Sequence, residues 1–343
     1  MLIFTLRRLT LFFFTLVILS VFAFSLCYLF PGEPIVNLTG RINDNAAQLA
    51  ALKLQYHFNE NVFFQYISYL KHIFSGNFGL AMNNQLPIGP LISKLLPATI
   101  ELSLVALLIA LFIGIPVGFI AAIFHRKPID NTILILSMIG YSIPVFWLGL
   151  IAILIFSIYL GWLPSSGGIG LIYEIKSVTG IQFIDILMSD NPFKWQAFRS
   201  ATMHIILPAT VIAIAPATIF IRLARTAMLE VLDTNYIKSA QAKGLTFFEI
   251  IYQHAIRNAL MKMILHVGLQ FVNLMTFAMI TEVIFSWPGI GRWLINSIYQ
   301  RDYTAIQSGL LVLSTFIFIV HILTDFFYAA LNPIARGKRF GSR

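Results

Sequence analysis

Six ionisable residues lie within or beside long apolar stretches of the sequence, where charge is costly. They are Glu101, Glu282, Asp325, His204, His266 and His321. A charged side chain costs a few kcal/mol at the centre of a bilayer and less near its edges, so such residues either pair with neighbours or face a polar path. On a polar path, Glu101 and Glu282 would attract a cationic cargo. The sequence leaves both interpretations open.

Motifs for metal or nucleotide chemistry do not occur in the sequence. The histidines show no HxxxH spacing, and there is no CxxC pair and no GxxxxGK[ST] phosphate loop. We therefore predict no metal site, no cofactor bound by this chain and no enzymatic activity. ATP hydrolysis that powers this protein would belong to another subunit.

The composition is that of a membrane protein. Of 343 residues, 58% are hydrophobic and 11% are charged, whereas soluble domains carry roughly 25% charged residues. The net charge of +9 would suggest nucleic acid in a soluble protein. Here Lys and Arg are expected to gather on cytoplasmic loops, so we predict no nucleic-acid partner.

Apolar stretches long enough to cross a bilayer predict an all-α protein with six transmembrane helices. A span needs about 20 residues. The predicted spans cover about residues 9–30, 99–124, 132–160, 203–222, 263–285 and 304–326. The first is longer than the apolar core of a signal peptide, which predicts a retained anchor. Pro144 in the third span predicts a kink or break, either for packing or as a hinge.

The distribution of basic residues predicts that both termini are cytoplasmic. In this topology 14 of the 23 basic residues fall on the inside segments. These segments total roughly 70 residues against roughly 130 outside, and such a difference in density sets orientation. The 14 basic residues are Arg7, Arg8, Arg126, Lys127, Arg222, Arg225, Lys238, Lys243, Arg257, Lys262, Arg336, Lys338, Arg339 and Arg343. The long outside loops, 31–96 and 161–202, are then predicted to cover the helix bundle. The first contains a predicted amphipathic helix near Ala46–Phe58 and a turn at Ser75-Gly76-Asn77.

The inside loop 225–262 carries the strongest local signals. Asp233 or Asn235 can cap a short helix, and Gly244 then lies where a helix end favours a left-handed residue. Thr246 and Glu249 form a capping box that begins a second helix. Its predicted apolar positions are Ile250, Ile251, Ile256 and Leu260. The loop is therefore predicted to be a helix, a tight glycine turn and a helix.

Several segments in a fixed order resemble a known family. Ala240-x-x-x-Gly244, within Tyr236–Leu245, resembles the "EAA" loop of ABC importer permeases. His254-Ala-Ile-Arg-Asn-Ala-Leu260 and Thr281-Glu-Val-Ile-Phe-Ser-Trp-Pro-Gly-Ile-Gly291 look like the dipeptide and oligopeptide branch. Further segments match along the chain: Leu96-Pro-Ala-Thr-Ile-Glu101, Ser142-Ile-Pro-Val-Phe-Trp147, Trp162-Leu-Pro-Ser-Ser-Gly167 and Leu207-Pro-Ala-Thr210. Within that branch, the chain looks most similar to the permease of the antimicrobial-peptide (Sap-type) system.

The resemblance implies a function. The whole chain, 1–343, would be a single permease domain in the cell inner membrane that moves peptides. It would work with a homologous second permease, two cytoplasmic ATPase subunits that bind ATP, a periplasmic peptide-binding protein and membrane lipid. The implied ATPase-docking residues on loop 225–262 are Tyr236, Ala240, Gly244, Leu245, His254 and Asn258. The candidate path or gate residues are Glu101, Pro144, Glu282, Trp287, Pro288 and Gly289.

Some features depart from the family pattern, and some alternatives stay open. Lys238 replaces the acidic first residue of the EAA pattern, and Lys262 stands where many relatives have proline. Nickel or a polyamine are alternative cargoes, and the direction of transport is not readable from the sequence. An ion-driven secondary transporter is the alternative from another class, since the few carboxylates in the spans do not exclude it.

Overall fold

The computed structural model describes residues 2–42 and 45–331, with side chains at 9–42 and 45–327. Helices make up the fold, and no β-strand forms within those ranges, as the all-α prediction requires. In chain order the helices are α1 (Leu2–Leu29), α2 (Pro34–Thr39), α3 (Ala46–Gln55), α4 (Val62–Phe74), α5 (Ile88–Ile123), α6 (Pro128–Ser142), α7 (Val145–Ala152), α8 (Gln182–Met188), α9 (Lys194–Leu232), α10 (Asn235–Ala242), α11 (Phe247–Glu249), α12 (Ile256–Ile284), α13 (Ile290–Tyr299) and α14 (Tyr303–Leu331). Helix α7 continues as a π-helix over Ile153–Tyr159, and a second π-helix, Ile250–Ala255, joins α11 to α12. Four basic residues used for the predicted orientation, Arg336, Lys338, Arg339 and Arg343, lie outside the described residues.

Five stretches of the described helices are long and apolar enough to cross a membrane. They are Leu9–Leu29, Ile88–Ile123, Lys194–Leu232, Phe247–Ile284 and Tyr303–Phe327. The number rises to six if α6 and the helix Val145–Tyr159 together count as one span. At 36 and 39 residues, α5 and α9 are roughly 54 and 58 Å long, so they extend well beyond a bilayer core of about 30 Å.

The break predicted at Pro144 is confirmed. Helix α6 ends at Ser142, and the axis bends by 96° before α7 begins. Ile143, which precedes the proline, is extended with φ −80° and ψ 124°, as steric contact with the proline ring favours. Helix α3 ends at Gln55 rather than near Phe58, because Tyr56 and His57 form a turn in which His57 has a positive φ of 57°.

The part of the chain that the structure describes divides into two compact units. The first comprises the described residues up to Thr99, together with Glu174–Lys194 and Pro288–Ile322. Its core joins α1, α2, α3 and α4 with Leu311 of α14, around the buried Phe24, Cys27 and Tyr69. The Thr304 hydroxyl donates to the Asn37 carbonyl at 2.8 Å, which fixes the start of α14 against α2.

A buried aspartate orders the segment before α8 in the same unit. The Asp185 carboxylate accepts hydrogen bonds from the Thr179 amide and hydroxyl, both at 2.7 Å, and from the Gly180 amide at 3.1 Å. Burial by itself raises the pKa of Asp185, but these hydrogen bonds to the ionised form outweigh it and bring the pKa below its usual value. The segment 179–185 is thereby ordered by an ionised carboxylate.

The second unit comprises Ile100–Tyr173, Trp195–Trp287 and the described residues 323–331. Its helices approach closely at small residues. A Cβ on Gly114 would lie 2.8 Å from the Ala217 carbonyl oxygen, and one on Gly118 would lie 2.4 Å from that of Ile221. This GxxxG spacing on α5 lets the backbone of α9 pack directly against it.

Candidate functional site

The connection between α9 and α12 is helical almost throughout. Helix α9 extends to Leu232, beyond the predicted span end, and α10 follows at Asn235. The expectation that Asp233 or Asn235 caps α10 is wrong. Thr234 occupies the cap position, and its hydroxyl bonds back to the Val231 carbonyl at 2.5 Å instead of capping α10.

Gly244 closes α10 with a complete Schellman turn. Its φ is +84°, the left-handed conformation predicted from the sequence. The Leu245 amide donates to the Ala240 carbonyl at 3.3 Å, and the Gly244 amide donates to that of Gln241 at 2.9 Å. These are the two hydrogen bonds that define the motif. They bring three of the predicted docking residues, Ala240, Gly244 and Leu245, into one turn.

The predicted capping box after this turn is confirmed. The Thr246 amide donates to Glu249 Oε2 at 2.7 Å, and the Glu249 amide donates to the Thr246 hydroxyl at 3.4 Å. Helix α11 then runs without interruption through the π-helix into α12. A π-helical turn inside a long helix is rare and often lies at functional sites. The second helix of the loop is therefore continuous with the following apolar span.

The buried side of this second helix differs in part from the prediction. Ile250 and Ile251 are buried as expected, whereas Leu260 is exposed. Ala255 and Ala259 are fully buried in its place, because the π-helical turn rotates the helix face by part of a turn relative to an α-helix.

The remaining predicted docking residues are linked by hydrogen bonds. The Asn258 amide donates to the Tyr236 hydroxyl at 3.0 Å and to the His254 carbonyl at 2.8 Å. Lys238, which departs from the family pattern, forms an exposed ion pair with Asp233 at 3.2 Å. The Tyr236–Asn258 bond holds α10 against α12.

Sequence reasoning missed an exposed aromatic surface on the same element. Phe247, Phe248 and Tyr252 are all exposed, and the first two rings pack edge to face at 6.0 Å. Phe248 and Tyr252 are four residues apart, a spacing that places two side chains on the same face of a helix. The sequence therefore contained a signal for this surface. Exposed aromatic side chains are typical of the anchor positions of protein interfaces.

A buried ion pair near this element was also missed. Arg225 Nε lies 2.6 Å from Asp130 Oδ1, and Arg225 Nη2 lies 2.8 Å from Oδ2. The Arg126 amide donates to the same carboxylate at 2.9 Å, and His125 Nδ1 lies 3.3 Å from it. The pair ties the turn between α5 and α6 to α9, the helix that leads into α10. An exposed ion pair, Lys262 with Glu230 at 2.6 Å, joins α9 to α12.

The predicted path residues are mostly buried. Glu101 on α5, Glu282 on α12 and Trp287 are buried within the subunit, while Pro144 lies in an open groove beside Phe146 and Trp147. Their assignment to a translocation path stays a prediction.

Trp287 belongs to a second Schellman turn, at the end of α12. Its amide donates to the Glu282 carbonyl at 2.9 Å, and Ser286 takes the left-handed position with φ 51°. Pro288 follows the turn and is exposed, and Gly289 is the cap residue of α13. These residues therefore end one helix and begin the next.

Comparison with known proteins adds family information. Residues 114–337 match the family described as "Binding-protein-dependent transport system inner membrane component", and residues 1–103 match the corresponding N-terminal family. The putrescine export system permease protein SapB of Escherichia coli K12 is 41% identical over 343 residues, the full length of both chains. The peptide transport system permease protein SapB of Salmonella typhimurium is 40% identical over the same length.

A dipeptide-system relative and a solved structure agree with these matches. The di/tripeptide transport system permease protein DppB of Pseudomonas aeruginosa is 38% identical over 339 residues, covering 99% of this chain and all of the relative. An inward-facing structure of the MetNI methionine ABC transporter aligns with a TM-score of 0.53 at 17% identity, covering 71% of this chain and 96% of that one. This last similarity shows the fold alone. The family and full-length matches show that this chain belongs to the binding-protein-dependent transport system inner membrane components, the permeases of ABC importers.

Proposed function

We propose that this chain is one half of a peptide permease whose α10–Gly244–α11 element docks on a cytoplasmic ATPase subunit. The observation that carries this proposal is the rigid geometry of that element. A Schellman turn and a capping box fix two helices at one corner, and the second helix continues into a membrane span. Movement of a docked ATPase would then be transmitted directly to α12, because a packed rigid element transfers displacement between discrete states.

The exposed rings of Phe247, Phe248 and Tyr252 are the proposed contacts with the ATPase. A hydrophobic groove on the partner would bury these side chains, as aromatic anchors commonly do at interfaces. ATP would be bound by that partner and not by this chain. A homologous second permease and a periplasmic binding protein complete the proposed system, with both termini of this chain in the cytoplasm.

The proposed cargo is a cationic peptide. Full-length relatives are named for peptide transport and for putrescine export, and both descriptions are compatible with positively charged cargo. Glu101 and Glu282 supply the negative charge in this proposal. Because both are buried within the subunit, they would meet the cargo only when the transport cycle opens their surroundings. A buried carboxylate attracts a cation more strongly than an exposed one, since Coulomb energy scales inversely with the effective dielectric constant.

The test uses the permease pair and its ATPases reconstituted in proteoliposomes with the binding protein. We expect ATP-dependent transport of a cationic peptide, which Glu101→Gln or Glu282→Gln lowers about tenfold, corresponding to about 1.4 kcal/mol, while a neutral peptide is spared. Asp190→Asn, which removes an exposed carboxylate in segment 161–202, is the control and should leave both rates unchanged. Equal losses for both peptides would refute a charge-selective path. Transport of putrescine alone would favour the polyamine alternative, and failure of ATPase subunits to co-purify would refute the permease assembly.

A further inference from the structure

Helix α4, in the segment between the first two spans, buries two polar side chains and exposes several large apolar ones. Gln65 is 5% exposed and Ser68 is buried, whereas Phe63 is 63% exposed and Ile67 is 46% exposed. A helix on the surface of a soluble protein buries its apolar stripe and exposes its polar one. The outward face of α4 therefore requires apolar surroundings.

The polar residues on the inward face are satisfied by hydrogen bonds. The Gln65 side-chain amide donates to the Glu60 carbonyl at 3.0 Å, and its oxygen accepts from the Tyr28 hydroxyl. The Ser68 hydroxyl donates to the Gln55 carbonyl at 3.4 Å. Because buried polar groups are costly unless paired, these bonds stabilise the inward face, which also carries the buried Tyr69. Phe63 and Ile67 remain on the outward side.

Contacts with α1 show how far along that helix α4 packs. The Tyr66 hydroxyl lies 2.6 Å from the Ser20 hydroxyl, and the rings of Tyr66 and Phe24 pack edge to face at 5.6 Å. Together with the Tyr28–Gln65 bond, these contacts run from residue 28 back to residue 20 of α1. Eight residues of helix correspond to about 12 Å of rise.

That part of α1 lies inside its membrane-crossing stretch, Leu9–Leu29. A leaflet is about 15 Å thick, half of a bilayer core of about 30 Å. Helix α4 therefore packs beside the last part of a stretch that is long and apolar enough to cross a membrane. Helix α3 differs, because it exposes Gln48 and Gln55 and its Lys53 pairs with Glu33 at 3.3 Å.

We propose that α4 is embedded in the lipid leaflet that the C-terminal end of α1 reaches, with Phe63, Ile67 and Phe74 against the acyl chains. Naming this leaflet as the outer one rests on the orientation proposed above. Lys71 favours lipid over a protein partner as the occupant. It lies one helical turn from both Ile67 and Phe74 on the exposed side. Lysine is depleted at the centre of protein interfaces, whereas at a membrane surface its long stem places the ammonium among headgroups.

The proposal is tested by spin-label accessibility in the assembled complex, held in nanodiscs of phosphatidylethanolamine and phosphatidylglycerol. Single nitroxide labels are placed at Phe63→Cys, Ile67→Cys and, as the aqueous control on α3, Gln48→Cys, all with the buried Cys27 replaced by alanine. We expect labels at 63 and 67 to collide with molecular oxygen several-fold more often than with a water-soluble nickel chelate. The label at 48 should instead collide more often with the nickel chelate than with oxygen.

Two results would overturn the proposal. High nickel accessibility at 63 and 67 would place α4 in water, and low accessibility to both reagents would mean that protein covers it. Phe74→Cys provides a third position if either label prevents assembly. The measurement needs no cargo and no ATP, so a failure of the proposed peptide transport would leave its outcome unchanged. Orientation is measured separately, with the complex in sealed vesicles and the nickel chelate added only outside. Collisions of the chelate with the label at 48 then show which side of the membrane α3 faces.

Discussion

Replacement of Asp130 by asparagine should destabilise the protein far more than loss of an exposed ion pair of the same length. The Asp130 carboxylate is 1% exposed, and Arg225 is 18% exposed. Three hydrogen bonds at 2.6–2.9 Å, two from Arg225 and one from the Arg126 amide, reach this carboxylate. The uncharged asparagine side chain has the same length but would present an NH₂ group to one of these donors and leave the guanidinium without its counter-charge.

The expected loss follows from burial. Breaking a fully buried ion pair by removing one partner costs about 3–5 kcal/mol. Because Arg225 is only partly buried, we expect about 2 kcal/mol for Asp130→Asn, between the costs for a buried pair and for an exposed one. Lys262 and Glu230 also approach to 2.6 Å, but their side chains are 45% and 58% exposed. Exposed pairs contribute about 0–1 kcal/mol, so Glu230→Gln should cost less than about 1 kcal/mol.

The assay is the free energy of unfolding of the purified chain in detergent micelles, measured for both variants at low and high salt. The loss of unfolding free energy caused by Glu230→Gln should become smaller at high salt. The loss caused by Asp130→Asn should not, because buried ion pairs are screened less. The double variant Asp130→Leu/Arg225→Met should recover most of the loss, since apolar replacement of a whole buried pair is often neutral. Equal costs for the two single variants, or equal salt dependence, would refute this reasoning.

Two further predictions concern the docking element and the orientation of the chain. Gly244→Val should uncouple ATP hydrolysis from transport in the reconstituted complex while membrane insertion persists, because a β-branched residue is strongly disfavoured at φ +84°. Gly244→Asn, which tolerates that φ, should stay coupled, and equal behaviour of the two variants would count against the turn geometry as the cause. For orientation, a cysteine at the exposed Ser177 should react with a membrane-impermeant maleimide in intact cells, whereas one at Gln253 should react only after lysis. The opposite labelling pattern would reverse the proposed topology.

Local features of the fold were predictable because nearby residues determine them. The break at Pro144 follows from a missing N–H and a ring clash within one helical turn. The left-handed Gly244 and the Thr246–Glu249 capping box are likewise fixed within three residues. The misassigned cap at Thr234 shows the limit of such reasoning, because three adjacent residues, Asp233, Thr234 and Asn235, can all cap a helix. Only the backbone geometry distinguishes among them.

The outward position of Phe63 and Ile67 on α4 was not predicted for a different reason. The residues Phe63, Gln65, Ile67 and Ser68 show an amphipathic pattern, but periodicity alone does not state which face is buried. In water the apolar face turns inward, and in lipid it turns outward. The contact of Tyr66 with Ser20, inside the first candidate span, favours lipid around the outward side of α4.

The Asp130–Arg225 pair joins residues separated by 95 positions, so no local pattern could identify it. The orientation prediction nevertheless contained a usable constraint. Asp130 precedes the third predicted span and Arg225 follows the fourth, so both are placed at the cytoplasmic ends of their helices. Opposite charges at one depth of a helix bundle favour pairing, because a charge that is buried without a partner is costly. The sequence does not show how each helix is rotated about its own axis. That rotation is fixed by the close approach of α9 to Gly114 and Gly118 of α5. Close packing at these two glycines therefore determines which face of α9 meets the turn between α5 and α6, and with it the partner of Arg225.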